Sequence, residues 1–68
     1  MTDTNALKES IDNSGMSITF IAQKMGITRE GFYKKMNNNT EFKASEIARL
    51  KQVLNLSNSE RDRIFFAK

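Results

Sequence analysis

Residues 26 to 35, GITREGFYKK, gather an unusual set of side chains. Thr28, Arg29, Glu30, Tyr33 and Lys34 offer a hydroxyl, a forked planar cation, a carboxylate, a phenol and a point-charge ammonium within about two helical turns. The chain has no His and no Cys, and its carboxylates are little clustered. No general base, activated nucleophile or metal cage is evident, so neither an enzyme nor a cofactor or metal is expected. What remains is recognition by charge and hydrogen bonds. The plainer alternative is a solvated helix face, and Glu30 in a first turn is already explained by the helix dipole.

Those side chains need elements to hold them. Sixty-eight residues suggest one domain, 1–68, with no room for a second. A chain of this size buries only about 60% of its unfolded surface, and without cysteine it has no disulfide staples. The apolar runs are too short to span a membrane, and the first fifteen residues lack a signal-peptide core. A soluble intracellular protein is therefore expected. The net charge of +3 and pI near 9.5 are a mild push toward polyanions.

Proline is absent, and apolar residues recur at helical rather than alternating spacing, which predicts an all-α chain. Leu7 and Ile11 mark a first helix from about Thr4 to Asn13, ended by Ser14-Gly15. Ser17 caps a second, about Ile18 to Met25, which Gly26 stops. Thr28 caps a third, Arg29 to about Met36, broken by Asn37, Asn38 and Asn39. Thr40 to Lys43 reads as a loop with Phe42 folded inward, and Ala44 to Leu54 as the clearest helix. Ser57 and Glu60 form a capping box for a last short helix ending in Ile64-Phe65-Phe66. The result is a compact bundle of about five short helices, with Met16, Met25 and Met36 as core fillers.

The second and third helices, with glycine in a tight turn and Ala22 small where they would cross, form a helix-turn-helix pattern over about residues 17–36. SITFIAQKMGITREGFYKKMNNN resembles the helix-turn-helix of the phage repressor and Cro family, the lambda-repressor-like DNA-binding fold. The continuation, NNNTEFKASEIARLKQVLNLS and the terminal RIFF, is similar to small Cro-like regulators of phages of Gram-positive bacteria. The resemblance covers nearly the whole chain.

It implies that the third helix enters the major groove of double-stranded DNA, with Thr28, Arg29, Glu30, Tyr33 and Lys34 at the base-reading positions. Helical geometry agrees, since Phe32 and Met36 fall about 40° apart on one side while Glu30, Tyr33 and Lys34 share the other. Arg29 suits guanine O6 and N7, Glu30 cytosine N4, Lys34 guanine or phosphate, and Tyr33 a phosphate or a thymine methyl. Gly31 fits a close backbone approach to DNA, or simple drift. Ser17, Thr19, Asn37, Asn38, Asn39 and Lys43 are the expected contacts to the DNA backbone.

Two positions depart from the pattern. Ile18 stands where many members carry a phosphate-gripping glutamine, and Lys35 where an apolar residue is usual; Met36 is expected to take over the packing while Lys35 snorkels outward. Phe65 and Phe66 point about 100° apart, so they are a candidate dimer interface, one packing on the fourth helix and the other on a second subunit, unless both fold back on Leu50 and Leu54 at one corner of the core. The expected function is a Cro-like repressor that occupies its operator as a homodimer, in the cytoplasm of a bacterial host, associated with its nucleoid. No small-molecule ligand and no membrane are expected. An antirepressor or adaptor using the same fold to bind a protein is the alternative, since fold does not fix function.

Overall fold

A computed structural model describes residues 1–66 as five α-helices with no strand. The helices are α1 (Thr4–Ser14), α2 (Ile18–Met25), α3 (Arg29–Met36), α4 (Ala44–Val53) and α5 (Asn58–Phe65). Their ends follow local chemistry. Asp3 accepts from the Ala6 N–H at 3.0 Å, Ser17 from Phe20 at 3.0 Å and Thr28 from Gly31 at 3.0 Å, each satisfying an amide that the first turn leaves without a partner. Gly15 and Gly26 close α1 and α2 at φ 74° and 73°, a conformation that glycine enters without a Cβ penalty.

The later boundaries are equally specific. Ser57 and Glu60 make the full reciprocal capping box of α5, whereas α4 has only the return half, in which the Glu46 carboxylate accepts from the Lys43 N–H at 2.8 Å. Among the three asparagines only Asn38 turns left-handed, at φ 66°. The expected ends shift by one residue: α1 runs on to Ser14, α4 stops at Val53, and α5 stops at Phe65 with Phe66 as its cap.

Each helix sends one residue fully inside: Leu7, Ile21, Phe32, Leu50 and Ile64 have 0% exposure. Met36, Met25 and Leu54 join them, and Met16 packs on the edge. Phe42, from the loop before α4, is the aromatic hub. Its ring stands edge-on to Phe32 at 5.8 Å and to Phe65 at 5.3 Å, the T-shaped contact that aromatic quadrupoles favour.

The pair at the end of α5 is thereby split. Phe65 is buried in the core, which corrects its assignment to a dimer interface, while Phe66 points out and stays 58% exposed. No helix among the described residues is long and apolar enough to cross a membrane.

Candidate nucleic-acid interface

α2 and α3 pack against each other across Gly26-Ile27-Thr28. The turn is held by the Ile27 N–H donating to the Ala22 carbonyl at 3.1 Å. Ala22 is only 2% exposed at this junction, so a larger side chain would force the two helices apart.

α3 is fixed at both its inner face and its C-terminal end. Phe32 and Met36 root it in the core. Lys35 reaches α4 and the loop before it: its ammonium lies 3.1 Å from the Glu46 carboxylate and donates to the Glu41 carbonyl at 3.2 Å. Lys35 therefore braces α3 rather than merely snorkelling past it. Desolvation pulls the Glu46 carboxyl upward, but the Lys43 amide outweighs it together with the Lys35 and Lys43 charges, and the group ionises below the usual carboxylate range.

A third restraint involves Asn38. Its amide pairs both ways with the Thr2 backbone, accepting from the Thr2 N–H at 2.9 Å and donating to the Thr2 carbonyl at 2.9 Å. The Thr4 hydroxyl donates to the Met36 carbonyl at 2.6 Å, and the Asp3 N–H to the Ile64 carbonyl at 2.6 Å. The N-terminal segment thus straps the end of α3 to the end of α5. Asn38 was expected on a sugar-phosphate chain, but its side chain is committed to this strap.

Of the five proposed base readers, four are exposed. Arg29, Glu30 and Lys34 are exposed, and their side chains make no hydrogen bond or ion pair among the described residues. Thr28 is exposed too, its hydroxyl oxygen occupied by the Gly31 amide but its hydrogen free to donate. Tyr33 differs: it is half-buried, and the Arg29 guanidinium carbon lies 5.6 Å from its ring centroid. Gly31 has a local reason as well, since a Cβ there would stand 3.1 Å from the Thr28 Oγ1 that caps the helix.

The proposed backbone contacts are more scattered. Ser17 and Thr19 are exposed at the start of α2, with the Ser17 oxygen used as the cap. Asn37 and Asn39 are exposed after α3. Lys43 lies further on, at the start of α4, where its charge helps keep Glu46 ionised.

Several residues near this surface escaped sequence reasoning. Lys8 of α1 lines a groove of about 240 Å³ together with Ile11, Asp12, Ile18, Tyr33 and Met36. Phe20 is 42% exposed on α2, with the Lys24 ammonium 5.4 Å from its ring centroid, and Arg49 of α4 reaches the Lys24 carbonyl at 3.5 Å. The four-residue spacing of Phe20 and Lys24 was a visible signal. Lys8 and Arg49 depend on how the helices cross, and nothing local announces that. No family model matches the chain, and no curated protein or solved structure matches it.

Proposed function

We propose that this protein is a sequence-specific double-stranded DNA-binding regulator, with α3 as the helix that enters the major groove. The observation that carries this reading is the outward face of α3: two exposed cations and a carboxylate, unpaired among the described residues, on a helix anchored from behind. A purely structural face would gain by pairing Glu30 with Lys34 one turn on, yet no such pair forms. The eight residues of α3 span about 12 Å, commensurate with a major groove about 12 Å wide.

Arg29 is the proposed reader of a guanine, Lys34 reaches a guanine or a phosphate, and Glu30 accepts from a cytosine amine or steers Arg29. Exposed Ser17, Thr19, Asn37 and Asn39 supply backbone contacts. The described residues measure 26 × 24 × 21 Å, less than the roughly 34 Å between successive major-groove faces. One copy therefore covers one half-site, and a pseudo-palindromic operator requires two. Regulation then follows from occupancy, with a Cro-like repressor as the specific proposal.

Selection from a random duplex pool, with affinities of the winners measured at two salt concentrations, tests the reading. An enriched palindrome whose binding weakens steeply with salt is the expected result. Failure to enrich any sequence from folded protein would overturn it. Such a failure would favour the second reading, an adaptor that grips another protein, for which exposed Phe20 and Phe66 are the supporting features.

A further inference from the structure

Tyr33 sits among the readers but is not placed like one. Arg29, Glu30 and Lys34 are exposed, whereas the Tyr33 side chain packs on the core margin and lines the groove between α1, α2 and α3. Ile11, Ile18 and Met36 line the same groove, and the ring packs against the core cluster that includes Ile11 and Met36. One turn earlier, Arg29 lays its guanidinium 5.6 Å from the ring centroid, within cation–π range. Ile18, which breaks the pattern of the resembled family, is partly buried against the same core.

We propose that Tyr33 is a positioning residue, a platform packed on the core margin that holds the Arg29 guanidinium in its reading orientation. The proposal rests on the DNA-binding reading above and assigns the guanine discrimination of Arg29 partly to a residue that need not touch the base. The chemistry is compatible. A guanidinium packs on an aromatic ring through its flat face, which leaves the N–H donors along its edge free for a bidentate contact with guanine O6 and N7. A long side chain that would otherwise sample many rotamers is then restrained before DNA arrives, and less freedom is lost on binding.

The stack is worth about a 2- to 5-fold bias at an exposed site, and that is the scale of effect to measure. The full chain is prepared with Tyr33→Phe, Tyr33→Leu, Arg29→Ala and the double change Arg29→Ala/Tyr33→Leu. Each is assayed against the selected duplex and against the same duplex with the relevant guanine replaced. In parallel, the side-chain proton shifts of Arg29 are recorded without DNA, where a ring beneath the guanidinium displaces them upfield.

Tyr33→Phe is expected to keep both the displaced shifts and the discrimination. Tyr33→Leu, which retains apolar bulk, should fold, lose the displacement and lower discrimination at that one base pair by about 2- to 5-fold. In the Arg29→Ala background it should change that base pair no further. Three results would each overturn the platform: undisplaced Arg29 shifts in the unaltered protein, a Tyr33→Phe loss as large as that of Tyr33→Leu, or a uniform loss on all duplexes with discrimination intact. Absence of any duplex preference in the unaltered protein is a different failure. It removes the DNA reading, and the guanine role with it, while the Arg29 shifts report separately on the stack.

Discussion

Replacing Asn38 separates two contributions that meet at one residue. Its side chain makes two hydrogen bonds of 2.9 Å to the Thr2 backbone, and its own backbone sits at φ 66°. Each bond contributes about 0.5–1.5 kcal/mol net. Because Asn38 is exposed and water can replace part of the loss, the two together are worth about 1–2 kcal/mol, toward the lower end of that range. Asn38→Gly removes the bonds but accepts the left-handed backbone, so it should cost about that much. Asn38→Ala removes the same bonds and adds roughly 1 kcal/mol for a Cβ in the left-handed region.

The difference between the two variants is therefore the informative quantity. For a domain of this size, about 1 kcal/mol corresponds to a midpoint shift of roughly 4–8 °C. Thermal and urea unfolding followed by far-ultraviolet circular dichroism would give both midpoints, with an unchanged urea slope confirming that only stability has moved. Asn38→Asp adds a check, because a carboxylate can still accept from the Thr2 N–H but cannot donate to the Thr2 carbonyl. Equal midpoints for Asn38→Gly and unaltered protein would refute the strap. Equal midpoints for the Gly and Ala variants would refute the backbone component.

Acidification should weaken the hold of α4 on α3. The Glu46 pKa lies below its ordinary 4.5 in the folded state, so its stabilisation is complete above that value and is lost as the pH falls through the lower folded one. Glu46→Gln keeps an acceptor for the Lys43 amide but no charge, and should flatten part of the acid limb in a midpoint-against-pH series; an unchanged limb would show that the charge contributes nothing. Glu60, lowered by the Ser57 amide and hydroxyl, acts in the same direction and is untouched by this change. Arg29→Ala should cost about 1–3 kcal/mol of discrimination at one base pair of the selected duplex, and retention of full specificity would remove Arg29 from the reading set. Phe66→Glu should shift any self-association toward monomer with little change in thermal midpoint, given the 58% exposure of Phe66, and an unaltered sedimentation profile would rule out an interface at that residue.

What could be read ahead of the structure was local. Ser17, Thr28 and Ser57 announce helix starts because a short hydroxyl side chain bonds an amide three residues on. Gly15 and Gly26 announce ends for an equally local reason. Part of the outward set on α3 was legible because helical period alone separates Phe32 and Met36 from Glu30 and Lys34, whereas the exposure of Arg29, about 20° from Met36 on the helix, is not given by the period.

Side-chain partners across the chain were not legible in the same way. Asn38 meets Thr2 across 36 positions, Lys35 meets Glu46 on another helix, and neither residue type demands its partner. The fates of Phe65 and Phe66 hinge on how far α5 rolls about its axis, which packing on Phe42 decides. Tyr33 is expected at a base-reading position from the resemblance and from the helical arc it shares with Glu30 and Lys34. The groove that Tyr33 lines is shared with α1 and α2, and becomes visible only once the three helices are assembled.

The three restraints on α3 have an evolutionary corollary. The helix is secured by Phe32 and Met36 beneath, by Lys35 to the side and by Asn38 beyond its end. Positions 29, 30 and 34 carry none of that load. On the proposed DNA-binding reading they form an exchangeable alphabet on a fixed mount, so drift or a designer can rewrite them with little risk of unfolding the chain. Retargeting should therefore come cheaply in this scaffold. A library confined to those three positions, with Tyr33 retained, is the smallest one that keeps the mount intact while the message changes.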